Sequence, residues 1–299
     1  STWTPPVGMK IRPTIYGGPS WLHPNELKPQ YYDAFSNYLV EKFIVPSLAA
    51  GVPLEAVSPQ NEPEFATPNW DGCVWLPWQT ANFLGKFKAT LKKDKLKTKI
   101  MMGETANSVI GELYWDATWL YWKMTHLFTK SNFPADIVAT HGYSFPPGKG
   151  GVVTYNKAQL PWPLGGYANH RQRYVTEISS TYPYDPSMKN ALGFAVSLHK
   201  FLTQGDMNAF IFWLSMINKY TNEALIVSDK ANNLILPKVF DVYGQFSRYI
   251  LPDSIRVNVE NKYPWPTIYI SAYKHITQNA SSKAQALTIV LINNHNQAN

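Results

Sequence analysis

Cysteine is almost missing from this chain: Cys73 stands alone among 299 residues. That excludes an intrachain disulfide framework and a cysteine-built zinc site. With no histidine near it in sequence, Cys73 reads as a small buried hydrophobe rather than a nucleophile. Long apolar runs are absent too, so no segment is expected to span a membrane. His23, His126, His170, His199, His275 and His295 show no metal-ligand spacing, and the reading expects neither a metal nor an organic cofactor. Charge is scarce, at 16% of residues, with a net charge of +7. The densest basic run, Lys92-Lys93-Asp94-Lys95 with Lys97 and Lys99, looks like one solvated helix end rather than a nucleic-acid stripe. No leader peptide is visible; the chain opens at Ser1-Thr2-Trp3 without methionine, and Asn279-Ala280-Ser281 is a glycosylation sequon. A secreted protein is the expectation.

Aromatic residues are what the chain has in plenty: 11 Trp, 18 Tyr and 14 Phe, within a hydrophobic share of 45%. A core of barrel size is within reach. Aromatic faces also stack on the apolar faces of sugar rings, which gives this composition a second use.

Strand-like and helix-like segments alternate along most of the chain, the pattern of a parallel sheet wrapped by helices. Helical spacing over 31–50 ends at Gly51-Val52-Pro53, and a buried strand over 54–57 follows. Helices are predicted over about 78–93, 112–129, 187–203 and 237–249, with strands at 99–102, 136–139, 173–175 and 209–212. A Gly/Pro-rich loop covers 146–166. From about residue 254 the pattern changes to short period-two runs, 255–259, 267–273 and 287–292, which read as antiparallel strands of a separate sheet.

Polar and aromatic residues gather just past the parallel strands: Glu62, Glu104, His141 with Tyr143, Glu177 and Trp213. In a closed barrel of alternating strands and helices, the carboxyl ends of the strands form the active-site rim. Two of these residues, Glu62 in Ser-Pro-Gln-Asn-Glu-Pro (58–63) and Glu177 in Tyr-Val-Thr-Glu (174–177), each close an apolar run of strand type. A pair of carboxylates on separate strands suits glycosidic-bond cleavage, where one side chain protonates the leaving oxygen and the other attacks or activates water. Glu104 is open between a third rim carboxylate that tunes a neighbour and a simple loop cap. Trp75, Trp70 and Trp78 follow Glu62 and are expected to shape the aglycone side, whereas Trp115, Trp119 and Trp122 recur at helical spacing and read as helix packing.

The ordered set Trp3-Thr4-Pro5-Pro6-Val7-Gly8-Met9-Lys10, Ser58 to Pro63, Gly72-Cys73-Val74-Trp75, His141-Gly142-Tyr143, Thr176-Glu177 and Ser271-Ala272-Tyr273-Lys274 resembles family 30 glycoside hydrolases, and among them the endo-xylanase branch. The resemblance implies an α/β fold, a (β/α)8 TIM barrel with an attached β-sandwich side domain. The expected division is a catalytic barrel over 1–250 and part of the side domain over 251–299. The family's first barrel strands have no counterpart before Trp3, so the expectation is a piece of a longer protein. By match to motif, Glu62 is implied as acid/base, Glu177 as nucleophile and Asn61 as the ligand of the sugar 2-hydroxyl. Trp75, His141, Tyr143 and Trp213 are expected at the substrate, with Glu104 in support. Glucuronoxylan-specific members carry arginine just after the Trp at the position of Trp213. Here the chain reads Leu214-Ser215-Met216-Ile217-Asn218-Lys219, and Lys219 offers a point charge without a bidentate fork. Arg171 and Arg173 are the other cations considered for that carboxylate.

The expected function is therefore a retaining endo-β-1,4-xylanase, a secreted monomer acting on xylan without strict dependence on glucuronate, with no nucleic-acid or membrane partner. A β-1,6-glucanase, a β-1,6-galactanase and a non-catalytic carbohydrate-binding fragment remain the alternatives.

Overall fold

The computed structural model describes residues 27–65, 73–129, 131–143, 171–179, 184–229, 231, 233–260, 267–279 and 282–295. The Trp3 to Lys10 stretch, Trp70, the 146–166 loop, His23 and His170 lie outside the described residues. So do Ala280 and Ser281 of the sequon. The chain divides into two compact units, Ser1–His141 with Asn156–Thr176, and Gly142–Tyr155 with Glu177–Asn299.

Unit one is built from strand and helix in turn. Its first helix has α-helical segments α1 (Tyr32–Tyr38) and α2 (Val45–Ala49) on either side of a π-helical stretch, Leu39–Ile44. Pro46 lies just beyond that stretch. Lacking an N–H and crowding the carbonyl four residues back, it favours the wider turn, in which Val45 N–H donates to the Val40 carbonyl. Strand β1 (Ala56–Val57) pairs in parallel with β2 (Lys99–Thr105), and β2 with β3 (Ile137–His141). Next to β3 runs β4 (Gln172–Glu177), whose last residue already belongs to unit two. Between β1 and β2 comes α3 (Pro77–Lys93), with Pro77 at its first position and Leu76 N–H held by the Gln79 side chain. Helix α4 (Ser108–Thr125) starts earlier than the apolar spacing predicts, because Asn107 caps it by accepting from Ile110 N–H at 3.0 Å. The core between these helices and the strands is aromatic: Trp75, Phe83, Phe87 and Trp115 are fully buried.

Strand β2 runs three residues beyond its predicted end. The extension is a bulge: Gly103 opposes Ala139 and Thr105 opposes Thr140, with Glu104 skipped. Gly103 has φ +104 and Glu104 φ +50. A side chain at position 103 would overlap Trp115 Nε1 and the Ala139 carbonyl. Those two groups hydrogen-bond to each other at 3.0 Å across the space the glycine leaves. Glycine is thus required there for both its backbone angle and its lack of Cβ.

Unit two holds α5 (Met188–Thr203), capped by Ser187, and the short strands β5 (Ala209–Phe210), β6 (Met216–Ile217), β7 (Ile226–Ser228) and β8 (Leu234–Ile235). The last three form a small mixed sheet that periodicity does not predict, since its strands are too short to show a period. Helix α6 (Lys238–Ser247) packs on α5. Strands β9 (Ile255–Val257), β10 (Ile268–Asn279) and β11 (Ser282–Asn293) make an antiparallel sheet in the order β11-β10-β9. The β10–β11 pairing runs unbroken from Ile268↔Asn293 to Asn279↔Ser282. Its inner face, with Tyr273, Val290 and Ile292, closes a core with Ala195 and Leu198 of α5.

Candidate active site

In unit one the turn after β1 presents Glu62 in the left-handed region, φ +41. A glutamate at such an angle costs of order 1–3 kcal/mol and persists only where surrounding structure imposes it. Here the imposing contact is visible: Glu62 N–H donates to the carbonyl of Glu104, itself turned out by the β2 bulge, at 2.9 Å. The Glu62 side chain is 7% exposed and hydrogen-bonds through Oε1 to Nδ1 of His141, 3.0 Å away and 1% exposed at the end of β3. Its Oε2 is buried and makes no hydrogen bond among the described residues. Asn61, the residue before it, is exposed.

Glu104 lies at the far end of β2. Burial pushes its carboxyl above the usual range, partly offset by the nearby Thr176 hydroxyl and His141, and raised further by Glu62. Its carboxyl thus sits among Glu62, His141 and Thr176. Sequence reading missed a fourth acidic group, Glu64. Its Oε1 accepts from Ala106 N–H at 2.6 Å, and burial together with the Glu62 charge raises its carboxyl, against the pull of backbone N–H groups. The signal was available as the second glutamate of Asn-Glu-Pro-Glu (61–64), one residue past a turn proline.

Trp75 is a correction. Expected at the sugar, it is 2% exposed, with tilted or edge contacts to Phe83, Tyr32 and Phe35 and its Nε1–H on Cys73 Sγ at 3.2 Å. So buried, it offers no open face to a sugar ring. Cys73 is buried, as expected. Trp78, expected to help shape the aglycone side, is the second residue of α3 and half exposed. Trp115 and Trp122 pack within the core cluster as expected of them. Arg173 is also accounted for: it is buried, 2.9 Å from Glu112 and stacked over Trp115. Engaged there, it is not open to a substrate carboxylate.

In unit two, Glu177 ends β4, half-buried, and its Oε1 accepts from the Tyr143 hydroxyl at 2.9 Å. Gly142 N–H donates to the Glu177 carbonyl at 2.8 Å, and Ile178 presses against Gly142 where any Cβ would sit. The sequence His141-Gly142-Tyr143 thus brings a tyrosine to the carboxylate because its middle residue is glycine. Trp213 N–H donates to the Ile178 carbonyl, and the residue is 45% exposed. Lys219 is exposed in the segment that follows.

No family model matches the chain. A curated relative, glucuronoxylanase XynC of Bacillus subtilis, is 25% identical over 293 residues, covering 92% of this chain and 56% of the relative. This chain therefore spans about half the length of the curated relatives it matches. Among solved structures, the catalytic domain of GH30 xylanase C from Talaromyces cellulolyticus is 18% identical with a TM-score of 0.65, over 91% of this chain and 59% of that one. The endo-β-1,6-glucanase BT3312 is 16% identical with a TM-score of 0.65, over 97% and 70%. A conserved exported protein from Bacteroides fragilis is 17% identical with a TM-score of 0.66, over 91% and 60%. The family 30 resemblance read from the motifs stands, and the fold is that of these catalytic domains, parallel strand–helix units with a separate antiparallel sheet.

Proposed function

We propose, taking the likeness to family 30 xylanases as the premise, that this chain is the catalytic part of a retaining endo-β-1,4-xylanase. Residues 1–250 are assigned to the catalytic domain and 251–299 to the side domain. The observation that carries the reading is the matched treatment of two strand-end glutamates: Glu62 is hydrogen-bonded by His141 and Glu177 by Tyr143. Each carboxyl is aimed by a neighbour that is itself fixed by the end of a strand, which is how catalytic groups are pre-positioned.

In this reading the Glu177 carboxylate attacks the anomeric carbon. The glycosidic C–O bond breaks, its electron pair goes to the leaving oxygen, and that oxygen takes the proton from Glu62. Water then loses a proton to the Glu62 carboxylate and attacks the same carbon, releasing Glu177. The Tyr143 hydroxyl holds the nucleophile's orientation and hands its hydrogen bond back when the ester forms. His141 fixes the Glu62 rotamer. Asn61 is assigned to the 2-hydroxyl of the sugar being cleaved and the half-exposed Trp213 to stacking beneath it.

The substrate is a polymer outside the cell, so we assign a secreted, monomeric enzyme; the likeness to an exported protein supports this. The segment after Trp213 has no arginine, which supports action without strict glucuronate dependence. A second reading, a β-1,6-glucanase, draws on the likeness to BT3312, which extends over 97% of this chain. Product profiles on xylan, arabinoxylan, glucuronoxylan and β-1,6-glucan test the two. Oligosaccharides released from the xylans alone support the first; release from the glucan alone supports the second; retention of polymer without any reducing sugar overturns both.

A further inference from the structure

Glu62 and Glu104 face each other across two turns with strained backbones, and a single hydrogen bond from Glu62 N–H to the Glu104 carbonyl joins them. A second tie lies beside it. The Glu64 carboxylate reaches across to Ala106 N–H at 2.6 Å, just before Asn107 caps α4. The two ties cross the same gap in opposite directions, 62 to 104 and 106 to 64. The turn that presents Glu62 is thus stapled to the end of β2 and the start of α4. Between the staples, Pro63 fixes its own φ and its carbonyl accepts from Trp75 N–H at 2.8 Å.

We propose that Glu64 is a positioning residue for the acid/base: its carboxyl group pins the turn that aims Glu62. This rests on the assignment of Glu62 above. The charged and titratable groups facing the pair are Glu104 from β2, His141 from β3 and Tyr114 from α4. Burial above all, and the neighbouring Glu62 as well, raises the Glu64 carboxyl. The short hydrogen bond from Ala106 N–H, beside the N-terminus of α4, draws the Glu64 carboxyl to that spot and opposes part of the effect of burial.

The test uses the full chain. Glu64→Gln keeps an oxygen for Ala106 N–H, and Glu64→Ala removes it. Carboxyl-13C-labelled glutamate, with the Glu62 signal assigned from Glu62→Gln, reports the surroundings of Glu62 without substrate: that signal should shift in Glu64→Ala and return in Glu64→Gln. In Glu64→Ala kcat on the polymer should fall about tenfold with KM little changed, and Glu64→Gln should restore most of it. An unmoved Glu62 signal with full kcat in Glu64→Ala overturns the inference; should that variant not fold, Glu64→Asp, which shortens the reach, is read in the same way. A wild-type chain that hydrolyses no β-glycan defeats the xylanase assignment, and the Glu62 signal still decides whether Glu64 positions it.

Discussion

Glu62 and Glu177 were legible as residues because each closes a strand-like run, and their partners were legible as strand-end residues too. Their bonding was not, since nothing in the spacing of Glu62 and His141 says that a carboxyl and an imidazole will meet. The separate roles proposed for them give separate phenotypes. Glu177→Gln should abolish turnover on every substrate, leaving fold and polymer binding intact. Glu62→Gln should retain glycosyl-enzyme formation from aryl glycosides with good leaving groups, which need little protonation. Burst kinetics with dinitrophenyl xylobioside checks this, and equal losses for both variants on both substrate types would contradict it. Glu104 supports a second expectation at this scale. Its carboxyl is raised in the folded chain, so its effect on stability is most favourable below its unfolded value near 4.5 and is lost as pH rises through the folded value. Glu104→Gln, which cannot ionise, should therefore be at least as stable as the wild type at pH 7. Its advantage should vanish near pH 4.5, as thermal melts at the two pH values would show.

At the scale of the element, helices and parallel strands announced themselves by period and by caps, while departures from period did not. Trp75 is the instructive failure: its place after Glu62 suggested the cleft, yet the same residues begin α3 and the ring turns inward onto Phe83. The β2 bulge is a second case. A Gly-Glu pair at a strand end reads as a stop, whereas here it carries the strand on and directs the Glu104 carbonyl at Glu62. Gly103→Ala must introduce a Cβ at φ +104 against Trp115 and Ala139. It should cost about 2–4 kcal/mol of stability, measured by denaturant unfolding. Activity should fall further than stability explains, because the bulge also positions Glu62.

At the scale of the whole molecule, the barrel-type fold was legible from alternation and from the ordered motifs; the small β6–β8 sheet was not, its strands holding two or three residues each. Arg173 is engaged by Glu112, and the segment 214–219 directly after Trp213 holds no arginine, only the exposed Lys219. A bidentate arginine fork on a glucuronate carboxylate contributes typically about 1.5–3 kcal/mol. Rates on glucuronoxylan and on its carboxyl-reduced form should accordingly agree within about tenfold, the remainder fading with salt. A hundredfold fall on reduction would show that another cation grips the acid. The central claim, a retaining glycosidase with Glu177 as nucleophile, is tested most directly by trapping. Incubation with 2,4-dinitrophenyl 2-deoxy-2-fluoro-β-xylobioside should add one fluoroxylobiosyl group to the chain, and peptide mass mapping should locate it on Glu177. An active enzyme that takes up no label, or carries it on any other residue, would contradict the account.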